Sequence, residues 1–313
     1  MVRRMMDLRR APWRRILYLA DLAHFPYGPR PEGEVRDLAL AGVRLLAERG
    51  ADLVAVACNT AASSGVRSGA PLPVPVPVLD IVGPGSRQVA TLARATRAAG
   101  VLVLGTEGTV RRRVWERALR DAGYAGPTIG WACPHLASAI EEGAEDAHLE
   151  QAVREALAGL GNVAGVLGAG QAGRADHRDP VLVVLGCTHY PLAAACLERV
   201  LGQEVLQRPV RVVDPASALA AEVAATAART GPGATALGRE GFTGGGDERA
   251  VDVVFLATAR PAHLRERLAR LLAGPPPGVA APGVGTALGV GTAPDVEEVP
   301  LAIVSAGVAP AKG

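Results

Sequence analysis

Apolar and polar positions alternate along the chain in blocks whose period switches between that of a strand and that of a helix. Residues 16–20 form a short apolar run, and a polar, Pro- and Gly-rich stretch follows at 21–31. Val35, Leu38, Gly42, Leu45 and Leu46 then recur at helical spacing, with Gly50 as the stop signal. Residues 53–57 are uninterruptedly apolar and end at Cys58. A strand, loop, helix and strand in this order make a β-loop-α-β unit, the building block of parallel sheets buried on both faces. Residues 71–77 carry Pro at every second position, which predicts an extended segment outside any central strand.

Further on, 78–82 and 101–104 are strand candidates, a helix is expected after Thr109 to about Asp121, and another over 149–160. Residues 181–185 form the second pronounced apolar run, followed by a helical stretch at 191–201. Strands at 210–213 and 251–257 alternate with helices at 216–228 and 264–272, and a terminal strand is expected at 296–301. The stretch 274–294 is rich in Gly, Pro and Ala without periodicity and reads as a flexible linker. The pattern as a whole predicts an α/β protein with parallel sheets. Two glycine clusters carry little. Gly168-Ala-Gly170-Gln-Ala-Gly173 fits a dinucleotide fingerprint, but a polar loop follows it where a helix is needed. Gly244 to Gly246 read as a turn.

Composition narrows the chemistry. The chain has 313 residues, 49% hydrophobic and 20% charged, enough apolar mass for a large core and too much for a disordered chain. A net charge of +2 gives no support to a nucleic-acid binder. No apolar run approaches the ~20 residues of a membrane span, and the basic N-terminus lacks the apolar stretch of a secretory signal. Four Cys fit a reduced, cytoplasmic chain better than a disulfide scaffold. The single Lys is Lys312, next to last, a poor candidate for a Schiff base or a phosphate-binding loop.

Two segments repeat one design. Leu53-Val-Ala-Val-Ala57-Cys58-Asn59-Thr60 and Leu182-Val-Val-Leu-Gly186-Cys187-Thr188-His189 each run from an apolar strand through a small residue to Cys, then to hydroxyl or amide groups. Ligands of open α/β sheets lie at the carboxyl ends of strands, which is where both thiols fall. A buried, space-filling Cys is the competing explanation for either one alone. A zinc site on Cys58, Cys187 and His189 is a further alternative without ligand spacing to support it, and the absent C-x-x-C disfavours disulfide exchange. Two opposed thiols can take a proton from one face of a carbon and return one to the other. Asn and Thr beside each Cys suit a substrate carboxylate and ammonium, and His189 can keep the proton of Cys187 mobile.

These residues resemble a known family. Ala57-Cys58-Asn59-Thr60-Ala61 and Leu185-Gly186-Cys187-Thr188-His189-Tyr190-Pro191-Leu192 are similar to the two signature motifs of glutamate racemases, in the cofactor-independent aspartate/glutamate racemase family. Tyr18-Leu-Ala-Asp21, Phe25-Pro-Tyr27-Gly28, Gly105-Thr-Glu-Gly-Thr109, Cys133-Pro134 running to Glu141, Val213-Asp214-Pro215-Ala216 and the stretch from Phe242 to Asp247 support it. The resemblance implies interconversion of L- and D-glutamate without a cofactor or metal, supplying D-glutamate for peptidoglycan in the cytoplasm. Its bases map onto Cys58 and Cys187. Its substrate-binding pairs map onto Tyr27-Gly28, Asn59-Thr60 and Thr188-His189, with Glu141 behind His189. Thr106 and Thr109 either line the site or serve as a cap and a turn. The implied partner is glutamate, with neither nucleic acid nor membrane, and a homo-oligomer is expected. The implied fold is two similar flavodoxin-like domains with the active site in the cleft between them, here residues 1–82 with 208–301, and 83–207.

The chain departs from the family in two places. The opening Asp-Ser-Gly-x-Gly-Gly, whose Asp partners the first cysteine, has no counterpart, and Asp7 lacks the glycine turn that would let it serve. Either translation starts upstream of Met1, which the otherwise intact motif set favours, or this is a short form with weakened activity that binds an acidic amino acid or a protein partner. A racemase of aspartate or another acidic compound is the remaining alternative. Arg111-Arg112-Arg113 stands where the family commonly has a small polar residue at the Arg112 position, which leaves two readings: a solvated basic helix face, or altered access of the substrate.

Overall fold

The computed structural model describes residues 13, 15–167, 178–230, 252–272 and 296–299. The elements follow in the order β1 (Arg15–Ala20), α1 (Glu32–Glu48), β2 (Val54–Val56), α2 (Asn59–Ser63), β3 (Val78–Asp80), α3 (Val82–Thr96), β4 (Gly100–Gly105), α4 (Glu107–Arg111), α5 (Val114–Asp121) and β5 (Thr128–Ala132). Then come α6 (Leu136–Glu141), α7 (Asp146–Ala156), α8 (Gly161–Leu167), β6 (Val181–Gly186), α9 (Ala194–Arg199), β7 (Val210–Val213), α10 (Ala216–Thr230), β8 (Asp252–Ala257), α11 (Pro261–Leu272) and β9 (Val296–Glu298). All described strand pairs are parallel.

Three sheets form: β1-β8-β9, β2-β3, and β5-β4-β6-β7. The last is the rigid centre. Every residue of β4 and β6 is buried, as strands covered by helices on both faces require. One face packs with β2, β3 and α3 into a core that includes Val54, Val56, Val101, Leu182, Val184 and Trp115. The other packs Leu102, Leu104, Val183 and Leu185 against Leu136, Leu160 and Tyr190. Leu102, Leu104, Leu182 and Val183 are all 0% exposed. Each removes most of its apolar area from water, worth about 2 kcal/mol apiece.

Several expectations shift in detail. The predicted strand over 53–57 shortens to Val54–Val56. Residues 78–82 are a strand only to Asp80, and α3 begins at Val82. Pro84 sits in the first helical turn, where no backbone N–H is needed. The single helix expected after Thr109 is two, α4 and α5, broken at Arg113 with φ of 48°. The helix expected over 191–201 begins as a 3-10 turn at Tyr190–Ala193 and ends in a π-type turn at Val200–Val205. The pattern marks neither strand β5 nor helices α2, α3, α6 and α8. The expected domain boundary at 207/208 would assign β7 to the first unit, but Val210–Val213 pairs with β6 and completes the four-stranded sheet. The chain therefore leaves that sheet after Val213, into α10. The Gly168–Gly173 and Gly244–Gly246 clusters, Asp7, the Phe242–Asp247 stretch and the linker at 274–294 lie outside the described residues.

The small residue before Cys187 has a packing cause. A Cβ on Gly186 would stand 2.6 Å from the Leu104 carbonyl oxygen and 3.2 Å from Val103 Cγ1. The first neighbour is backbone in the central strand and cannot yield. Gly186→Ala is expected to cost about 1–3 kcal/mol in urea unfolding through overpacking. Gly161→Ala, where a Cβ meets nothing within 4 Å, serves as the control and should stay near wild type.

Candidate active site

Cys58 lies between the end of β2 and α2, at the N-cap of that helix and in extended conformation. Burial pushes the Cys58 thiol up. The backbone amides of Ala61 and Thr60 and the Thr60 hydroxyl pull it down, and Cys187 pushes it up again by charge. The Tyr18 phenol of β1 is raised by burial and then by the charges of Glu141 and Cys58.

Cys187 follows β6 directly and is buried. Its Sγ lies 3.8 Å from His189 Nδ1. The other ring nitrogen, Nε2, donates to Glu141 Oε2 at 3.0 Å. Burial would lower the His189 pKa, but the bonds and charges of Cys187 and Glu141 raise it to about 9. Burial raises Glu141, while His189 and His263 more than offset this and hold its carboxyl below the usual range. Phe25 packs on the imidazole at 5.3 Å between ring centroids.

The expected binding residues converge in part. Thr60 Oγ1 hydrogen-bonds Thr106 Oγ1 at 2.9 Å and Thr109 Oγ1 at 3.3 Å, and the latter two are 3.1 Å apart. Thr106 also caps α4 by accepting from the Thr109 N–H. Three hydroxyls from the ends of β2 and β4 thus form one triangle. Asn59 Oδ1 accepts from Trp115 Nε1 at 3.0 Å, and its Nδ2 is buried with no hydrogen-bond partner among the described residues. Gly28 abuts Thr106 so closely that a Cβ would stand 2.9 Å from Thr106 Cβ. Thr188 is exposed beside Cys187. Among the described residues, no group of three or more His, Cys, Asp or Glu is arranged to hold a metal ion, and Cys58, Cys187 and His189 make none.

The sequence reading missed the residue that shapes the loop at 21–30. Asp21 accepts from Tyr27 Oη at 2.6 Å and from Thr258 Oγ1 at 2.5 Å, and contacts His24 Nδ1 at 2.9 Å. Burial and this bond push the Tyr27 phenol far up, so it stays protonated. An Asp at a strand end followed by a Gly/Pro-rich loop was a visible signal for such a role. The expectation of a solvated face at Arg112 is corrected. Its side chain is only 7% exposed, donates Nη1 to the Gly108 carbonyl at 2.9 Å, and pairs with Glu32 at 3.3 Å.

Residues 9–223 match the Asp/Glu/Hydantoin racemase family. The chain belongs to that family. It is 32% identical over 246 residues to the glutamate racemase of Symbiobacterium thermophilum, covering 77% of this chain and 80% of that protein. The glutamate racemase of Parafrankia sp. is 35% identical over 200 residues, 63% of this chain and 65% of the relative. Among solved structures, glutamate racemase isoform RacE1 of Bacillus anthracis superposes with a TM-score of 0.68 at 25% identity, over 96% of this chain and 92% of that one. The Thermus thermophilus glutamate racemase, in complex with beta-chloro-D-alanine, gives 0.57 at 27% identity, over 96% and 93%. The racemase fold, with its two α/β halves, is therefore the fold of this chain. No described helix is long and apolar enough to cross a membrane.

The raised His189 makes a signed prediction. Its unfolded pKa is near 6.5 and its folded pKa about 9. The imidazolium's contribution is therefore complete below about pH 6.5 and lost as pH rises through 9. Urea unfolding at pH 6 and pH 9.5 should show a loss of order 2 kcal/mol in the wild type that is much smaller in His189→Asn.

Proposed function

We propose that this racemase-family chain interconverts L- and D-glutamate, with the thiols of Cys58 and Cys187 as the two proton-transfer groups and no cofactor. One observation carries the reading: Cys58 and Cys187 each follow a parallel strand, and the bonds of Thr60 to Thr106 and Thr109 bring the end of β2 against the end of β4, the neighbour of β6. In one direction a thiolate removes the Cα proton, the electron pair delocalises into the substrate carboxylate, and the opposite thiol delivers its proton to the other face. The enzyme ends with its two sulfurs in exchanged protonation states, ready for the reverse reaction.

The neighbouring groups support distinct roles. The helix amides of Ala61 and Thr60 stabilise a Cys58 thiolate. The His189 imidazolium does the same for Cys187, and Glu141 fixes the imidazole. The unpartnered Asn59 Nδ2 is a donor suited to a carboxylate oxygen, since a buried amide without a partner costs about 1–3 kcal/mol. The hydroxyls of Thr60, Thr106 and Thr109 offer further donors. Tyr27-Gly28 and Thr188 close the site around the α-amino and side-chain ends. On this reading the enzyme works in the cytoplasm as a homo-oligomer and feeds D-glutamate to peptidoglycan. The two units of the chain, joined after Val213, form the two sides of the cleft.

Cys58→Ser and Cys187→Ser are each expected to lower racemisation of glutamate by at least ~100-fold in a circular-dichroism assay, while thermal unfolding shifts by a few degrees only. Near wild-type turnover in either variant would remove the two-thiol mechanism.

A further inference from the structure

Glu141 has two carboxylate oxygens, and only one serves His189. The other, Oε1, lies 3.0 Å from Nε2 of His263 on α11. That helix comes from the far end of the chain, 122 residues later. A second bond secures it one turn on, where Arg267 Nη2 donates to the Ile140 carbonyl at 2.7 Å. Residues 263 and 267 share a helix face by their i, i+4 spacing, so α11 grips the last turn of α6 at two adjacent points. Leu264 is buried beneath, which seats the helix.

The hydrogen on His263 can be placed. Arg260 Nη2 lies 3.4 Å from His263 Nδ1. A guanidinium only donates, so Nδ1 accepts and the ring hydrogen sits on Nε2, aimed at Glu141. A carboxylate held at one oxygen can still rotate and tilt. Held at both, it presents Oε2 to His189 in one orientation, and the imidazole then keeps Nδ1 towards the Cys187 sulfur.

We propose that His263 is a positioning residue for the second thiol. It locks Glu141 so that the Cys187–His189 pair stays aligned, and thereby makes proton transfer on that side depend on the docking of α11. The role in turnover rests on the racemase reading above, but the effect on Cys187 does not.

The test compares His263→Met, which keeps volume and loses the donor, with His263→Gln, which keeps a donor. Two quantities are read in the full-length chain: steady-state glutamate racemisation, and the alkylation rate of Cys187 by iodoacetamide at pH 7, followed by peptide mass spectrometry. The Met variant is expected to lower kcat by about tenfold with KM within about twofold, as loss of part of a proton-transfer contribution, and to slow Cys187 alkylation about fivefold as His189 Nδ1 loses its alignment with the sulfur. The Gln variant should recover most of both. An alkylation rate in the Met variant equal to wild type, a wild-type kcat in it, or equal losses in both variants would overturn the proposal. If the wild type itself fails to racemise glutamate, the functional reading falls, and the alkylation comparison still decides the role of His263.

Discussion

A sulfur that is to act as a base must stay ionised where water is scarce, and burial alone drives it the other way. Two sets of groups oppose burial, by different means. At Cys58 the backbone amides of Ala61 and Thr60 and the Thr60 hydroxyl favour the thiolate, although burial leaves the thiol raised on balance. At Cys187 the answer is a side-chain chain, with an imidazole 3.8 Å from the sulfur and a carboxylate 3.0 Å behind the imidazole. Amides are fixed by the helix and need no further support. A chain of rotatable side chains does, and Phe25 against the ring and the second bond on Glu141 supply it.

The fold makes both arrangements cheap to hold in place. Paired in parallel, β4 and β6 deliver Thr106 and Cys187 to the same edge of their sheet, and the Thr60–Thr106 bond holds the end of β2, with Cys58, beside them. The fully buried β4 and β6 form the stiffest part, and the close approach of Gly186 to Leu104 fixes where the sulfur of the next residue emerges. The loop at 21–30 is held by Asp21 rather than by packing, through bonds to Tyr27, His24 and Thr258. It contributes Phe25 to one side of the site and Gly28 to the other.

What was legible in the sequence follows from the range of the interactions. The β4 and β6 runs of Val and Leu, the Cys after β2 and the Cys after β6, and the Gly50 stop at φ of 88° are local, and the pattern alone exposed them. Strand β5 escaped because its five residues are all half-buried and include Gly130, so neither alternation nor an apolar run marks it. Helix α3 escaped because Gly83-Pro84-Gly85 looks like a turn until the chain downstream commits to a helix. Glu141 was reached only through family resemblance, since its partners lie 48 and 122 residues away. The Thr60–Thr106–Thr109 triangle spans 49 residues and could be suspected but not closed from sequence. His263 had no signal at all: a lone His on an otherwise ordinary amphipathic helix.

The central claim is that two separate sulfurs handle the proton on the two faces of one carbon. The most direct measurement is isotope incorporation during single passages in D2O, starting from L-glutamate and, separately, from D-glutamate. The account predicts that at early times the product carries deuterium at Cα while the remaining substrate keeps protium, in both directions. Product that retains the original protium would mean one group carries the hydrogen across, and would contradict the account.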